Sequence, residues 1–92
     1  MEIKLKNGRD FYVDGERAVK IADANPNRRV LNLYTGADDL YFGGNNKVIA
    51  GGIAGYVPAS PKPVEVKLQG EIWVIRTKGT AGKCGVMEEI NG

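Results

Sequence analysis

Apolar and polar positions alternate in short runs along most of this chain, and each run stops at glycine, proline or paired asparagine. "EIKL" and "DFYV" flank "KNGR", whose Asn7 and Gly8 suit the positive φ angles of a tight reversal, so the pattern predicts a first hairpin. "RAVKIA" sets Ala18, Lys20 and Ala22 against Val19 and Ile21, and it ends at "DANPN", where Pro26 cannot continue a ladder. "RRVLNLYT" places Val30, Asn32 and Tyr34 on one face and Leu31 and Leu33 on the other. "DLYF" is the next strand. Joined to the previous one by "GADD", it reads as a second hairpin in which Tyr34 and Tyr41 face each other and stay partly exposed.

From 45 to 63 the alternation loosens into "NNKVIAGGIAGYVPASPKP", an excursion with room for one or two short strands. "VEVKL" and "EIWVIR" restore the period of two, with Ile72, Val74 and Arg76 opposed to Trp73 and Ile75, and Trp73 is expected in the core. "TKGTAGKCG" reads as a turn before a last strand, "VMEEI". No segment spaces apolar residues three and four apart over the length of a helix. The pattern predicts one all-β domain over 1–92, a small antiparallel β-sandwich or barrel of jelly-roll type with about eight short strands. Residues 1–24 supply its N-terminal hairpin and strand.

Composition narrows the chemistry. A chain of 92 residues buries only about 60–65% of its unfolded surface, so partner subunits would add useful burial. Thirteen basic and eleven acidic side chains leave a formal charge of +2 with the signs interspersed, unlike the basic stripe of a nucleic-acid binder. The N-terminus alternates charge with apolar residues and does not read as a signal peptide, and no apolar run reaches the roughly 20 residues of a membrane span.

With no histidine and with Cys84 as the single cysteine, neither an intramolecular disulfide nor an ordinary zinc site can be built. The same inventory denies Cys84 the usual histidine base, so it reads as a small buried or half-buried residue at a strand start. Ser60, the only serine, lies between Ala59 and Pro61. "GTAGKCG" departs from a phosphate-binding loop at Thr77 and Cys84 and reads as a turn with a lysine tip. Asp38 with Asp39 and Glu88 with Glu89 are adjacent carboxylates; neighbours in a strand point to opposite faces, so they read as a turn acid pair and a solvated strand face. The expectation is a non-enzymatic protein with no cofactor and no metal.

Surface chemistry offers more. Arg28 and Arg29 precede an alternating strand, so one guanidinium points inward, to pair with one of those carboxylates, and the other is free for a partner. Val48, Ile49, Ile53, Tyr56 and Val57 lie in the irregular excursion, where they form an apolar patch that marks a contact. Pro58, Pro61 and Pro63 stiffen it. With Tyr34 and Tyr41 these residues make the candidate interface, and self-association as a dimer or trimer is expected.

Residues 25–90 resemble the small virion proteins of tailed bacteriophages, namely capsid decoration, head-fibre and minor structural proteins. The phrases that carry the likeness are "NPNRRVLNLYTGADDLYFGG", "AGGIAGYVP" and "EIWVIRTKGTAGKCGVMEE". Within them Asn25 and Arg28, Tyr41 and Gly43, Trp73, and Glu88 and Glu89 hold the family's places. "SPKPVEVKLQG" is longer and more charged than the family's corresponding stretch. The resemblance implies a virion structural protein, assembled in the host cytoplasm, that binds the major capsid protein or other virion subunits. A carbohydrate- or receptor-binding module of a tail or fibre is the alternative.

Overall fold

The computed structural model describes residues 3–6 and 8–91. Its elements are β1 (Ile3–Leu5), β2 (Arg9–Asp14), β3 (Val19–Ala22), β4 (Arg28–Tyr34), β5 (Leu40–Gly43), β6 (Tyr56–Val57), β7 (Val64–Val66), β8 (Ile72–Arg76) and β9 (Ala81–Asn91). They form two antiparallel sheets. In the first, β1 and β2 lie end to end along one side of β9, β4 along the other, and β7 outside β4; the second runs β3–β8–β5–β6.

Taken as one interrupted strand, β1 and β2 pair with β9, β3 pairs with β8, β4 with β7 and β5 with β6. First pairs with last, second with second last, down to the loop 44–55. This is one long hairpin, and it is rolled up by two further pairings, β4 with β9 and β5 with β8. The expected sandwich is therefore a jelly roll, with eight strands wound into two four-stranded sheets.

Both predicted local hairpins are corrected. β1 and β2 pair with β9 and not with each other: Leu5 stands opposite Glu89 and Arg9 opposite Val86. Three residues on one side face two on the other, which is a bulge in a single strand; Asn7 itself lies outside the described residues. β4 and β5 sit in different sheets, so "GADD" is a crossing between layers and Tyr34 does not meet Tyr41. The crossing turns at Gly36, whose φ is +81° and where a Cβ would stand 2.6 Å from the Lys83 carbonyl oxygen. Only glycine fits there.

Alternation fills the space between the layers. Val13, Leu31, Leu33, Val66, Cys84 and Val86 from the first sheet meet Ile21, Leu40, Val57, Ile72 and Val74 from the second. Trp73 is not among them. It lies half-buried on the outer face of β8, its indole Nε1 donating to Glu71 Oε1 at 3.0 Å. Ile72 and Val74 take the inner positions because the sandwich core has room for branched aliphatics at that spacing. The final strand is longer than expected, since "AGKCG" is its first half and not a turn; Cys84 sits mid-strand opposite Phe11.

Each end of the core is closed by an arginine. Arg28 reaches inward because a bulge at Arg29 shifts the register, putting Arg28 opposite Ile90 and Val30 opposite Glu89. Its Nε donates to Glu88 Oε2 at 2.7 Å, its Nη1 to the carbonyls of Leu68 and Gly70 at 2.7 and 3.0 Å, and its Nη2 to the Asp23 carbonyl. The expected inward pairing holds. Glu88 is accordingly buried, not solvated, and Arg29 is not free: its Nη1 bonds Glu89 Oε1 at 3.1 Å on the surface.

At the other end Arg76, 1% exposed, donates to the carbonyls of Val13, Asp38 and Lys83 at 3.1, 2.8 and 2.6 Å, with Gly82 at 3.4 Å. No carboxylate pairs with it among the described residues. A buried cation held by carbonyl dipoles from β2, β9 and the crossing between β4 and β5 staples those three segments together.

Candidate interaction surface

The sequence-predicted contact residues divide between the interior and two opposite faces. Arg28 and Val57 are core, so neither is available to a partner. Arg29 and Tyr34 lie on the outer face of the first sheet. Tyr41, Val48, Ile49, Ile53 and Tyr56 come together on the outer face of the second, and that cluster is the candidate site.

The β5–β8 register builds its floor. Tyr41 stands opposite Ile75 and Gly43 opposite Trp73, while Tyr56 stands opposite Tyr41 on β6. These side chains alternate outward with the buried Leu40, Val57 and Val74. The Tyr41 and Tyr56 rings stack in tilted contact, centroids 5.6 Å apart. Asp39 fixes this corner: its Oδ2 accepts from the Tyr56 hydroxyl at 3.0 Å and its Oδ1 from the Ala59 N–H at 2.7 Å. The hydrogen bond to the carboxylate holds the Tyr56 phenol above its usual pKa.

The loop 44–55 forms an arm over this floor. The Phe42 N–H donates to the Gly55 carbonyl at 2.9 Å, and Gly52 and Tyr56 donate to the carbonyls of Ile49 and Ile53 at 3.4 and 3.3 Å, so the arm is a chain of tight turns. Val48 packs over Gly43, where an added Cβ would lie 3.1 Å from its own. Ile49 and Ile53 cap the outside of the turns, 68% and 94% exposed. A cleft of about 620 Å³ separates the arm from the turn at 15–18, with Trp73 and Ile75 at its base and Glu16, Arg17 and Lys78 at its rim. An apolar centre inside a charged rim is the anatomy of a protein contact.

Cys84 is the single thiol, and burial pushes its pKa up to about 11, so it stays protonated at neutral pH. Among the described residues no cluster of three or more potential metal ligands forms, and no helix is long and apolar enough to cross a membrane. Sequence reasoning missed Trp73 as a half-buried residue of the outer face, where Ile75 beside it is buried beneath the arm. It also missed Arg76, although "IWVIR" places that arginine on the same face as Ile72 and Val74. The chain matches no family model, no curated protein and no solved structure.

Proposed function

We propose that this protein is a non-enzymatic structural subunit of a tailed-phage virion, a capsid decoration or head-associated protein that docks through the outer face of its second sheet. One observation carries the reading: two isoleucines, Ile49 and Ile53, stand in solvent on an ordered arm above Trp73, Ile75 and the Tyr41–Tyr56 pair. A monomer gains nothing by displaying such side chains, whereas a lattice partner would cover them. The phrase resemblance of residues 25–90 and the rolled sandwich, an architecture used in viral capsids, support the same reading. The protonated, buried Cys84 favours a binding role over a catalytic one.

The arm would seat against the major capsid protein or against a second and third copy of this chain, and the virion would be its location. The test is co-sedimentation with tailed-phage heads stripped of accessory proteins, with light scattering of the free protein beside it. Ile53→Asp should weaken particle binding, or self-association where that is what the wild type shows, by at least about tenfold. The fold should be retained, because Ile53 touches no core residue. A wild type that neither sediments with the heads nor self-associates would refute the proposal.

A further inference from the structure

On the opposite side of the sandwich, the outer face of the first sheet carries a groove of about 350 Å³. Register explains it. Three rows cross β2, β9 and β4 on this face. Gly8 extends β2 opposite Met87, which faces Asn32; Asp10 faces Gly85, which faces Tyr34; Tyr12 faces Lys83, beyond which the chain continues to Gly36. The glycines therefore fall on a diagonal, and the groove runs along it. Met87 and Tyr34 form one wall. Asp10 and Lys83 form the other, about 10 Å away across two strand spacings.

Gly85 at the centre has no left-handed φ to explain it. A Cβ there would lie 3.1 Å from Asp10 Oδ1 and 3.8 Å from Tyr34 Cβ, so the missing side chain is what opens the floor. Tyr34 is 42% exposed, and neither Asp10 nor Lys83 is taken up in an ion pair among the described residues.

The chemistry selects an occupant. The floor is β9, paired on both sides, so it has no free main-chain groups with which to add a peptide strand. Recognition must come from side chains. An aromatic ring at one wall, a carboxylate and an ammonium at the other, and a flat glycine floor suit a ring with apolar faces and a hydroxylated rim. Asp10 and Lys83 cancel in charge, and Arg9, which also lines the groove, turns its guanidinium away to the Phe11 ring and the Ile21 carbonyl, which disfavours a polyanion. We propose that this groove binds a neutral hexopyranose saccharide, one sugar ring lying over Gly85 against Tyr34, with its hydroxyls donating to Asp10 and accepting from Lys83. The site is independent of the arm on the other face.

The experiment is an amide-resolved NMR titration of the whole chain with maltotriose, galactotriose and chitotriose as probes. At least one should shift the amides of Asp10, Tyr34 and Gly85 saturably, with a dissociation constant on the order of 1 mM or tighter. Tyr34→Ala should weaken it at least about tenfold, and Gly85→Val should abolish it. Ile53→Asp, which removes the docking arm's tip, should leave sugar binding unchanged. If Gly85→Val does not fold, Tyr34→Ala and Asp10→Asn carry the test, each checked by its thermal midpoint. No saturable shift with any of the three up to about 50 mM, shifts confined to other residues, or binding unaffected by Tyr34→Ala would overturn the proposal. So would the same amides moving with protein concentration alone, which would make the groove a contact between copies.

Discussion

Truncating the two adjacent arginines should separate interior from surface electrostatics within one dipeptide. Arg28→Ala removes the closer and only buried one of the two cations that pair with Glu88 among the described residues, a carboxylate whose residue is 7% exposed, leaving the exposed Lys6 at 3.8 Å, and it strips donors from three carbonyls. Breaking a buried pair by deleting one partner typically costs about 3–5 kcal/mol. The whole fold is worth about 5–14 kcal/mol at the usual density of stability per residue. The variant should thus lose roughly a fifth or more of its stability, and its melting midpoint should fall by roughly 12–40 °C. Arg29→Ala removes an exposed pair, for which about 0–1 kcal/mol is expected. Adding Glu88→Leu to Arg28→Ala should restore part of the loss, because it removes the orphaned charge. Urea and thermal denaturation of the four proteins decide the matter. Losses for Arg28→Ala and Arg29→Ala within about 0.5 kcal/mol of each other, or no recovery in the double variant, would refute the assignment of Arg28 as an interior closure.

Two further outcomes follow from particular side chains. Trp73→Ala should cost only about 1–2 kcal/mol, below the range for a core tryptophan, and leave a folded protein by circular dichroism; a variant unfolded at room temperature would return Trp73 to the core. Cys84, with its pKa raised by burial from 9.0 to about 11, holds its proton better folded than unfolded, so its contribution to stability is complete below pH 9 and is lost as pH rises toward 11, by about 3 kcal/mol at most. Denaturation midpoints across that window should fall less steeply for Cys84→Ala, and an unchanged slope would count against the buried thiol.

Strand positions were legible in the sequence because alternation and glycine punctuation are local, and the strands at 28–34, 40–43, 64–66 and 72–76 lie where the pattern put them. Pairing was not legible, for a physical reason. In a rolled hairpin only β5 and β6 are both neighbours in sequence and partners in a sheet, so turn chemistry at "KNGR" or "GADD" says that the chain bends but not which strand receives it. The β8 error has a different source. "EIWVIR" offers two apolar faces, Ile72 with Val74 and Trp73 with Ile75, and ring size favoured the wrong one; Arg76, on the first face, looked polar while the fold supplied carbonyls enough to bury it. The Arg28 and Arg29 pair was legible up to the choice of which points inward, and that choice was made by a bulge with no sequence mark of its own.

The site is separable from the scaffold on the same grounds. Twelve residues lie between β5 and β6, and no other connection exceeds six. In a rolled hairpin this is the closing loop, and a two-residue turn would join its strands as well. Its ends are already held by the Phe42 to Gly55 hydrogen bond and by Asp39 gripping Tyr56 and Ala59. The arm sends no side chain into the core, since Val48 packs on the outside of Gly43. Neither burial nor pairing therefore requires isoleucine at 49 or 53, and solvation opposes it. Where folding does not call for an apolar residue and water penalises it, the proposed contact outside the chain supplies the missing reason, which is why the docking proposal rests on these two side chains and not on the better-packed tyrosines beside them.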